Sequence, residues 1–356
     1  MEFTMSNVEK SVFALHDTAV VKAAAVVLLL CHHLYMGVLP VPMSVTGNPP
    51  LLVFSTLAKV CVAVFTLLSG YGLTISYEHR KDSVLEFQKK HLLGLMKPFW
   101  LIYAVFFVLS AFLAREGFTP TELYGTGVKG LLRALSEIFA LRPILGTPTI
   151  NQSWWYVEAA LVLYICFPLL WYLTKRVPYL MLPLSAVPLV LYAVMGNNVW
   201  DTCREIYWFF PFCAGIFMAQ RGLLDRFSAF CDVHRARAVA IALPLLIVAA
   251  FVRAKVGLAV DTFFAVTIVL FIRAAVSRIP VIGTALAFVG RHSADIFYTH
   301  SFFYSYFFTQ KYFVRWFLWQ ESLVRQLAAL PTLLPVSLAA AVLLDCVRKV
   351  LRQMKY

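Results

Sequence analysis

The strongest constraint on the fold is a series of apolar runs, each about long enough to cross a lipid bilayer. A spanning helix needs about 20 predominantly apolar residues. Ten candidate spans lie at about 19–39, 52–77, 95–114, 155–174, 179–196, 206–219, 237–253, 258–276, 293–309 and 327–347. The sixth and ninth are short or polar. The pattern predicts an all-α, polytopic membrane helix bundle with about ten transmembrane helices.

Composition excludes an ordinary soluble protein. The 356 residues are 61% apolar and 14% charged, whereas a soluble domain is about half apolar and a quarter charged. The net charge of +13 would indicate a nucleic-acid partner in a soluble chain. Here the arrangement of cations explains it, because about two-thirds of the 31 Lys and Arg residues fall on one side of the predicted spans.

This bias predicts the topology. Loops rich in Lys and Arg stay in the cytoplasm, so both termini are expected there and no nucleic acid is needed. The predicted organisation is a cytoplasmic lead-in at 1–18, a membrane domain at 19–350 and a cytoplasmic tail at 351–356. The expected location is a multi-pass cell membrane, most simply the cytoplasmic membrane of a bacterium. The seven cysteines show no metal-binding spacing, so no metal is predicted.

The first span, Ala19–Leu39, contains three ionisable residues that are costly inside a membrane. At about 100° per residue, Lys22 and His33 lie about 20° apart around a helix and therefore share a face. The rise of about 1.5 Å per residue separates them by about 16 Å. His32 points about 80° away from Lys22. Because histidine titrates near neutral pH, we predict His33 as a general base, with His32 in support.

Other polar groups within the spans have two interpretations. Lys59, Asp261 and Arg273 are expected to form ion pairs that fix helix packing. Glu158 lies at a depth similar to that of His33, and we predict that it orients this imidazole as the carboxylate does in a triad. His300 either lines a cavity and contacts substrate or bridges two helices.

The segments at 115–154 and 310–326 are predicted to lie outside the cytoplasm. The first contains the amphipathic stretch VKGLLRALSEIFAL, and the second mixes aromatic and basic residues as interfacial helices do. Trp154, Trp155 and Trp316 fit an outer aromatic belt. Alternatively, some of these rings stack on sugar rings at the outer mouth of the protein.

Five motifs follow one another along the chain. They are Lys22 and His33 with ten residues between them; Ser69-Gly70-Tyr71 in FTLLSGYGL; Pro98-Phe99 after a basic stretch; SWWYVEAALVLYICFP with Glu158, Tyr164 and Pro168; and GRHSADIFYTHSFF with His300. In this order they resemble the membrane-bound acyltransferase family 3 over about residues 15–350. One departure is that the family's Arg-x-x-Arg pair before the third helix is replaced here by Lys89-Lys90-His91.

The resemblance implies acyl transfer, most often of acetyl, from cytoplasmic acyl-CoA to a hydroxyl of an extracytoplasmic or lipid-linked glycan. Acyl-CoA is then a co-substrate, and no permanently bound cofactor is expected. The implied donor-binding residues are Lys22, Lys89, Lys90, Lys97, Ser69 and Tyr71, and the implied acceptor-binding residues are Trp154, Trp155, His300 and Asn151. Ser69-Gly70 has a second interpretation as a site of close helix packing.

Two alternatives remain open at this point. A transporter or flippase, or a membrane scaffold without enzymatic activity, also suits many spans with buried charges. A transporter often contains paired halves with interrupted helices, and the sequence shows no internal symmetry. For the enzyme, direct attack by the acceptor and a covalent acyl-histidine relay are equally compatible with the sequence.

Overall fold

The computed structural model describes residues 13–35, 49–195, 204–318 and 322–354. These ranges are almost entirely helical and contain no β-strand, only a single bridge between Ala114 and Phe307. The all-α prediction is therefore confirmed for the part of the chain described.

The described ranges contain seventeen α-helices. The first nine are α1 Leu15–Tyr35, α2 Pro49–Ala58, α3 Cys61–Glu78, α4 Val84–Leu113, α5 Pro120–Tyr124, α6 Gly127–Ile138, α7 Arg142–Leu145, α8 Trp155–Arg176 and α9 Pro178–Met195. The remaining eight are α10 Phe209–Gln220, α11 Leu223–Val233, α12 Arg235–Val256, α13 Asp261–Phe271, α14 Pro280–Arg291, α15 Ser293–Ser301, α16 Gln310–Phe313 and α17 Leu323–Gln353. Short 3₁₀ or π segments lie at Gln152–Trp154, Arg204–Trp208, Gly257–Val260, Ile272–Val276, Phe302–Tyr306 and Val314–Leu318.

Six helical segments in the described ranges are long and apolar enough to cross a membrane. They lie at Leu15–Tyr35, Pro50–Glu78, Val84–Leu113, Gln152–Arg176, Arg235–Val276 and Leu323–Gln353. The predicted seventh and eighth spans thus form one helical segment, which turns through Gly257–Val260. The predicted fifth and sixth spans are shorter apolar helices, and the predicted ninth corresponds to α15 and the π segment that follows it.

The chain folds as two compact units. Unit 1 comprises Met1–Leu28, Leu57–Phe87 and Ile165–Ser293. Unit 2 comprises Leu29–Thr56, Gln88–Tyr164 and Ala294–Tyr356.

Two glycines in unit 1 let α3 and α10 approach closely. A Cβ on Gly70 would collide with the carbonyl oxygen of Phe212, and a Cβ on Gly215 would collide with the carbonyl oxygen of Leu67. Small residues allow membrane helices to pack backbone against backbone. The packing interpretation of the Ser69-Gly70 motif therefore has a direct geometric basis.

We expect Gly70→Ala to lower the free energy of unfolding by about 1–3 kcal/mol, since the added methyl group meets backbone that cannot move aside. Gly72 is the matched control, because a Cβ there has no neighbour within 4 Å. Gly72→Ala should be neutral or stabilising by up to about 1 kcal/mol. Denaturation midpoints of the two variants in detergent test this difference, and equal midpoints would contradict it.

Buried ion pairs cross-link the helices of unit 1. Arg273 is 1% exposed and contacts Asp232 at 2.7 Å and the fully buried Asp17 at 3.5 Å. Arg253 pairs with Asp261 between α12 and α13. The ion pairing predicted for Arg273 and Asp261 is confirmed, and these charges hold helices together.

Aromatic rings form much of the core of unit 2. The ring of Trp154 lies 5.2 Å from Phe99, 5.8 Å from Tyr103 and 5.7 Å from Phe302. Trp154 is only 2% exposed, so its predicted place in an outer aromatic belt is wrong. A ring enclosed by three others gains more from packing than from the membrane surface.

Helix α6 turns its apolar face outward. Val128, Leu131 and Leu132 are more than half exposed, whereas Ser136 and Glu137 are buried. Ser136 Oγ lies 2.6 Å from Thr147 Oγ1, in the segment that follows α7. The amphipathicity predicted for this segment is therefore present, with the polar side facing the protein interior.

Candidate functional site

His32 and His33 lie in the last turn of α1. His32 is buried, and its Nδ1 lies 2.9 Å from the carbonyl oxygen of Ser55. A carbonyl oxygen only accepts, so Nδ1 carries the proton and the Nε2 of a neutral His32 carries a lone pair. His33 is half-buried, and its ring centroid is 5.2 Å from that of His32.

His300 on α15 adds a third imidazole next to that of His33. Its Nδ1 lies 2.8 Å from the carbonyl oxygen of Phe297 and 3.1 Å from that of Ile296. Because both partners only accept, the proton is on Nδ1. His300 is fully buried, and its Nε2 has no hydrogen-bond partner among the described residues. The residue therefore presents a buried lone pair.

His33 and His300 contact each other across unit 2. Their ring centroids are 5.1 Å apart, with the ring planes at 59°. The described residues contain no group of His, Cys, Asp or Glu with metal-binding geometry. The arrangement places His300 Nε2, a hydrogen-bond acceptor, beside the half-buried His33, and an imidazole of that kind can take up a proton near neutral pH.

Glu158 lies in the first turn of α8 and binds Arg142. Arg142 Nε and Nη2 each donate to one carboxylate oxygen of Glu158 at 2.9 Å. Such a two-pronged pair fixes both side chains. The sequence did not identify Arg142 as the partner of Glu158; that Glu158 orients His33 stays a prediction.

Asn151 and Trp154 attach the start of α8 to α15. Asn151 Nδ2 and Trp154 Nε1 both donate to the carbonyl oxygen of Tyr298, at 3.2 Å and 2.9 Å. Asn151 Oδ1 accepts from the Ser301 hydroxyl at 2.9 Å. These contacts give Asn151 and Trp154 a structural role beside His300. Trp155 is half-buried, with its ring 5.9 Å from that of Tyr156.

The residues predicted to bind the donor are divided between the units. In unit 1, Lys22 and Ser69 are half-buried, and Tyr71 is buried with its ring 5.6 Å from Phe13. In unit 2, three cations on α4 are exposed: Lys89, Lys90 and Lys97.

Glu137 is the buried ionisable residue that the sequence analysis missed. It is 2% exposed, and its carboxyl oxygens contact the hydroxyls of Tyr124 and Thr149. The available signal was a carboxylate on the polar side of an amphipathic stretch next to apolar spans. That signal identifies Glu137 only if the polar side is known to face inward.

The chain matches a known protein family over nearly its whole length. A family model described as an acyltransferase domain matches residues 18–345. No match was found among curated proteins or among solved structures.

Proposed function

The chain belongs to acyltransferase family 3 and is a membrane acyltransferase, and on that premise we propose that it moves an acyl group from cytoplasmic acyl-CoA to a glycan hydroxyl. Acetyl is the proposed acyl group. The proposed acceptor is an extracytoplasmic or lipid-linked glycan. The family assignment favours an enzyme over the transporter and scaffold alternatives.

The contact between His33 and His300 is the single observation that supports this proposal most. One imidazole has an intermediate exposure, and the other holds a buried lone pair of fixed orientation 5.1 Å from it, centroid to centroid. A half-buried histidine can reach a substrate hydroxyl while its neighbour accepts a second hydrogen bond. This is the arrangement that general base catalysis needs.

The proposed reaction is direct acyl transfer. His33 removes the proton of the acceptor hydroxyl, the oxygen attacks the thioester carbonyl, and the carbon–sulfur bond breaks as the ester bond forms. The CoA thiolate then takes the proton from the His33 imidazolium. His300 Nε2 accepts a hydrogen bond from the acceptor or from the imidazolium, and His32 and Glu158 support the geometry. An acyl-histidine relay through His33 is the covalent variant of this reaction.

The donor is proposed to lie along α1. Lys22 and His33 share one face of this helix, about 16 Å apart along its axis. An extended thiol arm bound at Lys22 by its phosphates would place the thioester near the imidazole. Lys89, Lys90 and Lys97 are proposed to add point charges for the phosphates, with Ser69 and Tyr71 beside the donor.

The topology proposal is the one predicted from the sequence. About ten spans with both termini in the cytoplasm would place Lys22 at the cytoplasmic side and His33 toward the outside, in a bacterial cytoplasmic membrane. On the outer side, Trp155 is proposed to contact the glycan, while Trp154 and Asn151 shape the site around His300.

Release of free CoA tests the proposed function. Purified protein in lipid vesicles is given acetyl-CoA, with and without a membrane glycan fraction as acceptor. We expect free thiol to appear only when donor, acceptor and protein are all present. Folded protein that releases no thiol with any surface glycan fraction would contradict the proposal.

For Lys22→Ala, we expect the KM for acyl-CoA to rise about tenfold with kcat little changed, since a hydrogen bond to a charged group contributes about 1.5–3 kcal/mol. Lys22→Arg keeps the charge and should restore most of the affinity. The exposed Lys129 on α6 provides the control, and Lys129→Ala should leave this KM unchanged. An unchanged KM for Lys22→Ala would remove Lys22 from the donor site.

A further inference from the structure

Glu137 lies at the centre of a hydrogen-bond network in unit 2. Its Oε2 accepts from the Tyr124 hydroxyl and, at 3.3 Å, from the backbone N–H of Ile150. The Tyr103 hydroxyl donates in turn to the Tyr124 oxygen at 3.4 Å. Glu137 Oε1 contacts the hydroxyl of Thr149. The network joins α4, α5, α6 and the 149–150 backbone.

The protons around Thr149 indicate the charge state of Glu137. Thr149 Oγ1 also lies 2.9 Å from the carbonyl oxygen of Asn151 and accepts from the Asn151 N–H at 3.0 Å. A hydroxyl has one proton to donate, and the carbonyl oxygen can only accept. Both contacts of the hydroxyl are satisfied together when Thr149 donates to Asn151 O and Glu137 Oε1–H donates to Thr149.

We propose that Glu137 is a neutral carboxylic acid and a positioning residue for the acyl transfer proposed above. In this form it donates to Thr149 through Oε1 and accepts from Tyr124 and Ile150 through Oε2. Every polar group of the network then has a partner, which a buried network requires to be stabilising.

The network acts on the site through Asn151. The 149–151 backbone, held by Glu137 and Thr149, presents Asn151 to α15. There the Asn151 amide binds the carbonyl oxygen of Tyr298 and the hydroxyl of Ser301. Ser301 is the residue after His300 in the chain. Loss of the Glu137 network therefore weakens the contacts by which Asn151 fixes α15. This is the helix that places His300 beside His33.

The electrostatic environment of Glu137 agrees with a neutral acid. Burial raises the pKa of Glu137 to about 7, although its hydrogen bonds and the nearby Arg142 guanidinium lower it. The groups facing it from other elements are Tyr103, Tyr124, Arg142 and Tyr306. The Arg142 charge is matched by Glu158, with both of its oxygens at 2.9 Å.

The raised pKa of Glu137 determines in which direction the stability of the protein changes with pH. The folded state holds the proton more tightly than the unfolded state, so this group's stabilisation is complete below the ordinary pKa of a glutamate and is lost as the pH rises through about 7. The network therefore weakens on the alkaline side.

Two substitutions separate a neutral acid from a carboxylate. Glu137→Gln imitates the protonated side chain, because its NH₂ donates to Thr149 while its oxygen accepts from Tyr124 and Ile150. Glu137→Leu keeps the volume approximately and removes every hydrogen bond. Glu116→Gln, at an exposed position of the same segment, is the control.

The test measures thermal midpoints in detergent and acyl transfer kinetics from about pH 5 to about pH 9. We expect the wild type and Glu116→Gln to lose stability between about pH 5 and about pH 7 and to lose kcat as the pH rises through about 7, whereas Glu137→Gln should show neither loss. Glu137→Leu should lower the midpoint at every pH and lower kcat several-fold more than it changes the KM for acyl-CoA. In infrared spectra, the carboxylic acid band of the wild type should lose intensity in Glu137→Gln.

The outcomes distinguish this proposal from the proposed function on which it rests. If the wild type transfers no acyl group but differs from Glu137→Gln in the pH dependence of stability, the function fails and the neutral acid stands. Parallel pH profiles of the two proteins, or a Glu137→Gln as impaired as Glu137→Leu, would overturn the neutral acid. A Glu137→Leu variant with wild-type kcat would overturn the positioning role.

Discussion

Replacement of His33 by alanine is expected to lower kcat for acyl transfer by about 10²–10⁴-fold, the usual contribution of a general base. His33 is the half-buried member of the three imidazoles, and the other two have their Nδ1 protons engaged by backbone carbonyl oxygens. Both neighbours are more deeply buried than His33, so neither presents its Nε2 to an acceptor hydroxyl as readily. The KM for acyl-CoA should change much less, because His33 acts on the acceptor proton.

The measurement is acyl transfer in membranes with matched amounts of each variant. His79→Ala is the control, since His79 is an exposed histidine at the end of α3. It should retain wild-type activity, and the thermal midpoint of His33→Ala should stay close to that of the wild type. Turnover near the wild-type rate in a folded His33→Ala protein would remove His33 as the base.

Arg273→Met is expected to destabilise the protein by about 3–5 kcal/mol, the cost of breaking a buried ion pair by removing one partner. The guanidinium is 1% exposed and satisfies Asp17 at 3.5 Å, Asp232 at 2.7 Å and Ser228 at 3.1 Å. Without it, buried Asp17 keeps only the pair with Arg278, which is also 3.5 Å away but is 41% exposed.

Arg278→Met provides the matched control for this prediction. Arg278 is 41% exposed and lies 3.5 Å from both Asp17 and Asp232. A screened pair of this kind contributes about 0–1 kcal/mol. Denaturant midpoints should therefore fall sharply for Arg273→Met and little for Arg278→Met. Equal midpoints would contradict the stabilising role assigned to the Arg273 ion pairs.

The sequence predicted those features that depend on local pattern. Apolar runs identified the long helices, because length and composition alone decide whether a helix can span a bilayer. The spacing of Lys22 and His33 predicted a shared helix face, since one helical period relates them. The motifs identified the same family as the family model does.

The sequence did not predict the features that depend on tertiary contacts. His33 and His300 belong to helices far apart in the chain, and no periodicity relates them. Arg142 was not recognised as the partner of Glu158 because it lies in the short helix α7, outside every predicted span. Glu137 was missed because an amphipathic helix normally buries its apolar face, whereas α6 exposes that face and buries its polar one.

The number of predicted spans also differs from the number of long apolar helical segments in the described ranges, and this difference has a physical reason. The sequence predicts separate seventh and eighth spans that are divided at 253–258. The structure has a 3₁₀ segment there, Gly257–Val260, which continues the helical backbone, so α12 and α13 count as one helical segment. The topology of about ten spans with cytoplasmic termini is a proposal that labelling of the loops can test.

Transfer of a labelled acyl group tests the central claim most directly. Purified protein in vesicles is given acetyl-CoA that carries a labelled acetyl group, together with a membrane glycan fraction. Labelled ester and free CoA should form in equal amounts with the wild type and with His79→Ala. Neither product should form above background with His33→Ala. Equal amounts of labelled ester from folded wild type and folded His33→Ala would contradict the role of His33 as the base. No labelled ester from folded wild type would contradict the proposed acyl transfer.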